Sequence, residues 1–151
     1  MKHVAIENLY KVFSKYKLKE IIIGCHCPLC MDDEYDKFLQ NTPLAEITAK
    51  NLFGYLQSAN ILDENCKDFK YFIPRILELI FEDSPENDWI DFIWKIIAQA
   101  EYHSWENHES EAVDCFFKAY WNEIKNTGDE ERINWTRNDL KVIKFINFED
   151  A

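Results

Sequence analysis

The chain has 151 residues, of which 47% are apolar and 15% aromatic, and it contains only 3 glycines and 4 prolines. This length suits one ordinary domain, and the composition excludes a disordered chain and disfavours a many-stranded β protein, whose turns need glycine and proline. Residues 1–75 carry 10 Lys and Arg against 10 Asp and Glu, whereas residues 76–151 carry 7 against 18, which excludes nucleic-acid binding through the second half.

Apolar spacing in the first part of the chain predicts short helices on either side of an extended segment. Apolar residues over positions 6–13 recur at helical spacing, which predicts a first helix. The β-branched run 21–23 predicts an extended segment leading into a cluster of cysteines. A second helix is expected over residues 32–39, because the residue before Pro43 avoids the helical region, and a third is capped by Thr48.

The clearest helical signal covers residues 69–80, where apolar residues keep one register although Pro74 lies among them. Because proline donates no backbone hydrogen bond, we expect a kink or a restart of the helix at Pro74. Residues 84–86 then read as an N-cap serine, a proline and an acidic residue, which predicts the start of a helix that continues over residues 89–100.

The last part of the chain predicts two further helices. One begins at about His108 and ends at Gly128, and a short one starts at Thr136, with Asp139 in its first turn, and carries apolar residues over positions 140–146. The sequence therefore predicts an all-α protein of six or seven helices, in a single domain spanning residues 1–151.

Cellular location follows from the termini, the hydropathy and the cysteines. The N-terminal residues 1–8 show no signal-peptide pattern, and the longest apolar runs fall far short of the roughly 20 residues that cross a bilayer. Five cysteines is an odd number, and three of them are crowded together, unlike a secreted disulfide framework. We therefore expect a cytoplasmic protein with reduced thiols that neither crosses nor binds a membrane.

One stretch resembles a known family. It runs Phe69-Lys70-Tyr71-Phe72-Ile73-Pro74-Arg75-Ile76-Leu77-Glu78-Leu79, and it follows a tight cysteine cluster and the pair Pro43-Leu44. This pattern is similar to that of an uncharacterised family of small helical bacterial proteins, and the similarity extends over most of the chain, including residues 112–121. The resemblance implies a helical fold and a bacterial origin, and it implies no activity.

The cysteine cluster is the feature best suited to chemistry. In Cys27-Pro28-Leu29-Cys30 the spacing lets two thiolates reach one ion, and Cys25 or His26 could supply a third ligand to a tetrahedral zinc. The sequence offers no second pair of ligands at zinc-finger spacing, so a fourth ligand would have to come from a distant helix. Thiols packed in a loop, a zinc site and a redox pair all remain open readings of this cluster.

Acidic residues dominate two stretches of the second half, residues 78–91 and 101–114. We expect the partner-binding residues to be Glu78, Glu82, Asp83, Glu86, Asp88, Asp91 and the tryptophan Trp105. The simpler interpretation of these acidic residues is a solvated helix face. Catalysis by paired carboxylates would need a pocket that separates their pKa values. As a docking surface, the carboxylates would attract a basic protein.

Enzymatic activity is not indicated by any motif. The chain has no Gly-x-Ser-x-Gly, phosphate-binding glycine loop or His-Glu-x-x-His. His103 and His108 flank Trp105, and we expect them near a turn between helices. Two hypotheses follow: a non-enzymatic protein-binding module, for example an immunity or antitoxin protein that covers a basic toxin such as a nuclease, and a small regulatory module stabilised by zinc on Cys25, Cys27 and Cys30.

Overall fold

The computed structural model describes residues 2–18, 21–27, 31–58, 61–82 and 89–145, the last range without the side chains of residues 89–91. Within these residues every regular element is helical, which confirms the all-α prediction. The α-helices are α1 (Lys2–Val12), α2 (Asp33–Asn41), α3 (Ala49–Leu56), α4 (Lys67–Glu82), α5 (Trp89–Ala100), α6 (Asn107–Asn126) and α7 (Glu130–Val142). Two short 3₁₀ turns are Leu44–Glu46 and Tyr102–Ser104.

The described residues divide into two compact units. The first unit contains α1 and the chain from α5 onward, and the second contains residues 13–82, with α2, α3 and α4. The first unit is thus built from two stretches of chain that lie far apart in sequence. The single domain spanning residues 1–151 stays a prediction.

Aromatic rings form the core of the first unit. Helix α1 packs against α6 and buries Leu9 completely. The Phe117 ring of α6 lies 5.6 Å from Trp94, 6.0 Å from Tyr102 and 5.8 Å from Phe145, measured between ring centroids. One phenylalanine therefore joins α5, the 3₁₀ turn, α6 and the segment after α7.

The second unit is held together by a close approach between α2 and α3. The Tyr35 hydroxyl donates to the Asn51 carbonyl and accepts a hydrogen bond of 2.9 Å from the Tyr55 backbone N–H. Gly54 allows this contact, since a Cβ at that position would lie 2.8 Å from the Tyr35 hydroxyl oxygen. Tyr55 in turn packs on Phe72 of α4, with 4.6 Å between ring centroids.

Most predicted helix ends are confirmed. The Thr48 hydroxyl accepts a hydrogen bond from the Asn51 N–H and caps α3, α2 ends just before Pro43, and Gly128, with a positive φ of 71°, follows α6. The predicted helix start at residues 84–86 lies outside the described residues.

Two predictions about helix continuity need correction. Helix α4 runs through Pro74 without a restart, while its apolar residues on both sides of the proline keep the expected single register; a kink at Pro74 stays a prediction. Helix α7 begins at Glu130, where the Asp129 carboxylate caps it by accepting the Arg132 N–H at 3.1 Å. Thr136, the predicted start, lies buried in the middle of α7, and Ile146 lies outside the described residues.

Candidate functional sites

Two buried carboxylates hold the segment that leads into the cysteines, residues 21–27, which we call the cysteine loop. Asp36 of α2 accepts the Ile22 N–H at 2.9 Å, and Asp68 of α4 accepts the Ile23 N–H at 2.7 Å. Ile22 is buried between exposed neighbours, as expected of an extended segment. Consecutive backbone amides are thus tied to two different helices, which fixes the loop at its N-terminal end.

The described residues on either side of positions 28–30 lie close together. The Met31 N–H donates to the Cys25 carbonyl at 3.2 Å. Cys25 is half-buried and Cys27 is exposed, and Cys30 lies outside the described residues. A metal-binding knuckle also brings its two ends together, but the positions of three thiolates around an ion stay a prediction.

His26 faces the protein backbone. Its Nε2 lies 2.5 Å from the Ile22 carbonyl oxygen and its Nδ1 lies 3.9 Å from the Asp36 carboxylate. The carbonyl therefore accepts a proton from Nε2, which leaves the lone pair of Nδ1 as the possible metal-binding atom of this ring. A metal-bound histidine often donates its other ring N–H to a backbone carbonyl, so this geometry keeps His26 beside the cysteines as a candidate zinc ligand.

An open groove of about 430 Å³ lies beside the cysteine loop. It is lined by Ile21, His26, Asp33, Asp36 and Lys37. The lysine offsets one carboxylate, and Asp36 already accepts hydrogen bonds from Ile22 and Gln40. This mixture of charges selects neither an anion nor a cation.

Two of the predicted partner-binding residues, Glu78 and Glu82, share a counterion. Arg75 donates through Nε to the Ile47 carbonyl at 2.8 Å and through Nη1 to Glu78 at 2.6 Å. The same Nη1 lies 4.0 Å from Glu82. The Glu78 side chain is 21% exposed and that of Glu82 is 55% exposed, so Glu82 is the more available of the two to a partner.

The side chains of the remaining acidic residues of this stretch lie outside the described part of the chain. Asp83, Glu86 and Asp88 lie outside the described residues, and Asp91 belongs to α5 but its side chain also lies outside them. That these acids take part in partner binding stays a prediction.

Trp105 lies in the turn between α5 and α6, as predicted from its neighbours. We call residues 101–111 the Trp105 turn; they carry four glutamates and no lysine or arginine. The Trp105 ring is half-buried and meets the Tyr102 ring edge-on, with 6.4 Å between centroids. Glu101, Glu106 and Glu111 are exposed. An amphipathic tryptophan thus lies within an acidic segment of one unit.

Tyr102 holds the Trp105 turn against α6. Its hydroxyl donates to Asp114 at 2.7 Å, and its ring packs against His103, with 4.0 Å between centroids. Burial, and then the hydrogen bond and charge of Asp114, hold the pKa of Tyr102 well above its ordinary value. The phenol is therefore a permanent donor, and its role is to orient the turn, with no acid–base chemistry near neutral pH.

A small group of possible metal ligands was missed by sequence reasoning. Glu106, His108 and Glu109 bring their ligand atoms within 4.8 Å of one another at the start of α6. The N-terminal end of a helix carries partial positive charge, which favours carboxylates there and opposes a cation. Glu109, which is fully buried in the first turn, fits the role of stabilising α6.

Comparisons with known proteins add no further assignment. No helix in the described part of the chain is long and apolar enough to cross a bilayer. No protein-family model, curated protein or solved structure matches the chain. The resemblance to a family of small bacterial proteins therefore rests on its sequence motif alone.

Proposed function

We propose that this protein is a non-enzymatic binding module that docks a basic protein through the acidic surface of its second half. An immunity or antitoxin protein covering a cationic toxin, such as a nuclease, is the form of this function that we favour. The carboxylates would stand in for nucleic-acid phosphates in the cleft of the toxin. Binding would then be fast, because opposite charges steer the encounter, and weakened by salt.

The Trp105 turn is the observation that carries the proposal. Three exposed glutamates lie within six residues of a half-buried tryptophan, whose segment is held by the 3₁₀ turn and the Tyr102–Asp114 hydrogen bond. Tryptophan is enriched among the residues that dominate binding energy, and surrounding charges set the rate and the specificity of association. The turn combines both features without needing a conformational change.

Glu78 and Glu82 contribute less under this proposal than the sequence suggests. Arg75 offsets one of the two negative charges, and a guanidinium held by Ile47 and Glu78 cannot move away at no cost. We therefore assign Glu82, with its exposed carboxylate, the larger share of any contact made by α4. Asp83, Glu86, Asp88 and Asp91 stay in the proposal as further partner-binding residues.

The test uses the basic protein encoded by the adjacent gene, purified and titrated against this chain. Neutralising Glu101, Glu106 and Glu111 to glutamine is expected to lower the association rate by about tenfold at low salt. A control with the same loss of charge replaces Glu7, Glu46 and Glu64, which are exposed and belong to the first half of the chain. Equal effects of the two triple variants, or no effect of either, would overturn the assignment of the Trp105 turn.

A second set of variants tests the stretch predicted from sequence. Replacing Glu82, Asp83, Glu86, Asp88 and Asp91 with neutral residues is expected to weaken binding further, because these charges extend the same attraction. If reversing the charges of these five residues left binding unchanged, they would not belong to the binding surface.

The alternative is a regulatory module stabilised by zinc, and the hydrogen bond from Met31 to Cys25 favours it. If Cys25, Cys27 and Cys30 hold zinc, purified protein should contain one zinc per chain and should melt at a lower temperature after chelation. Cys27→Ser should then lower the metal content, whereas Cys115→Ser, at an exposed cysteine of α6, should not. Protein with no zinc and with melting insensitive to chelators would rule this function out.

A further inference from the structure

The solvent-facing side of helix α7, which we call the α7 stripe, carries two large apolar side chains. Glu131, Trp135, Asn138 and Val142 are all exposed and follow one another at helical spacing, so they share one side of α7. Trp135 is 51% exposed and Val142 is 50% exposed. The opposite side of the helix buries Thr136 and Leu140 in its own unit. The outward side therefore carries two large apolar side chains that the fold of this unit does not use.

The charges along α7 change sign from one end to the other. Asp129, Glu130 and Glu131 lie with Arg132 at its N-terminal end, for a net charge of −2, whereas Lys141 and Lys144 lie with Asp139 at or just after its C-terminal end, for a net charge of +1. Residues 129–145 carry four acidic and four basic residues, although residues 76–128 carry twelve acidic residues and three basic ones. This segment is thus locally neutral within the acidic half, and it is where another acidic chain can approach without strong repulsion.

We propose that α7 is a self-association surface, on which a second copy of this chain docks antiparallel to the first. In that arrangement the acidic first turn of one α7 faces the basic last turn of the other, and both contacts form at once by two-fold symmetry. A parallel arrangement would place Glu130 and Glu131 against their own copies. The difference in charge between the two ends of α7 therefore favours a second copy of the chain as the partner, and it favours the antiparallel direction.

The length of this side of α7 allows a short two-fold contact. From Glu131 to Val142 the α7 stripe extends about 17 Å along the helix. The two-fold axis would pass near Arg137, so that Trp135 of one copy packs beside Asn138 of the other, with the Val142 side chains toward the two ends. One helix pair is small compared with a stable interface of roughly 1,200–2,000 Å². A reversible dimer with a dissociation constant of roughly 10⁻⁵–10⁻³ M is the expected result.

Sedimentation velocity of the full chain, from about 10 µM to 1 mM, tests the proposal. The wild-type protein is expected to shift from monomer to dimer over this range, and Trp135→Ala is expected to raise the dissociation constant at least about tenfold. Val4→Ser is the matched control, because Val4 is also an exposed apolar residue, 68% exposed on α1. Wild-type protein that stays monomeric at 1 mM, or equal effects of the Trp135 and Val4 substitutions, would overturn the proposal.

A charge exchange tests the antiparallel direction. Glu131→Lys alone and Lys144→Glu alone are each expected to weaken the dimer severalfold, and the two together are expected to restore it. Circular dichroism confirms that each variant is folded before it is compared. Should the double variant dimerise no better than the single ones, the antiparallel α7 contact is wrong. Trp135→Ala with Val142→Ser supplies a second variant with no change of charge, and it must also weaken the dimer.

Discussion

The two aspartates that hold the cysteine loop give the most specific structural prediction. Replacing Asp36 with alanine removes the acceptor of the buried Ile22 N–H, whereas the Ile23 N–H keeps Asp68. A hydrogen bond to a charged acceptor contributes about 1.5–3 kcal/mol. Since about 1.4 kcal/mol corresponds to a factor of ten, exchange of the Ile22 amide through local opening should accelerate roughly 10- to 100-fold.

Amide hydrogen exchange followed by NMR measures both positions in one experiment. Asp36→Ala should act most strongly on the Ile22 amide, and Asp68→Ala should act most strongly on the Ile23 amide. Asp33→Ala is the control, because Asp33 lies one turn earlier on α2 and is exposed, and its loss should affect neither amide by more than a few-fold. An Ile22 amide that exchanges at the wild-type rate in Asp36→Ala would refute the proposed anchoring of the loop.

Three further predictions concern stability. Phe117→Ala should lower the free energy of unfolding by about 3–5 kcal/mol in urea, because Phe117 joins four parts of the first unit, and a loss below about 1 kcal/mol would contradict that role. Tyr102→Phe should lower the free energy of unfolding near pH 8, but the difference from wild type should narrow above about pH 10. The reason is that the raised pKa of Tyr102 makes wild-type stability fall once the phenol of the unfolded chain ionises. A difference that is constant from pH 8 to 11 would contradict the buried hydrogen bond to Asp114. Gly54→Ala should destabilise the wild type, because the new Cβ meets Tyr35. In a Tyr35→Ala background the same substitution should instead stabilise the protein by about 0.5–1 kcal/mol through helix propensity. Thermal melts of the wild type, the two single variants and the double variant test this change of sign.

Local signals in the sequence were sufficient for most of the helices. Apolar spacing found α4, and single residues such as Thr48 and Gly128 marked helix ends, because caps depend on neighbours within one turn. The start of α7 was predicted wrongly because Thr136 followed by Asp139 imitates a capping pattern, while Asp129 supplies the actual cap. Burial of Thr136 against the first unit depends on tertiary packing, which the pattern does not contain.

The candidate sites were predictable only where partners lie close in sequence. The pairing of Arg75 with Glu78 spans three residues, a spacing at which side chains of one helix are neighbours. The bonds from Asp36 and Asp68 to the cysteine loop span 14 and 45 residues, and no local pattern announces them. The cysteine spacing therefore indicated where chemistry could occur, and the fold shows what holds that segment in place.

The central proposal is that acidic residues of the second half dock a basic protein. Its most direct test is the binding constant for the purified product of the adjacent gene, measured by calorimetry from 50 to about 500 mM salt, a range over which the screening length falls severalfold. We expect tight binding at low salt, with an affinity that falls steeply as salt increases and falls again on neutralisation of Glu101, Glu106 and Glu111. The absence of binding, or an affinity indifferent to salt and to these substitutions, would contradict the proposal.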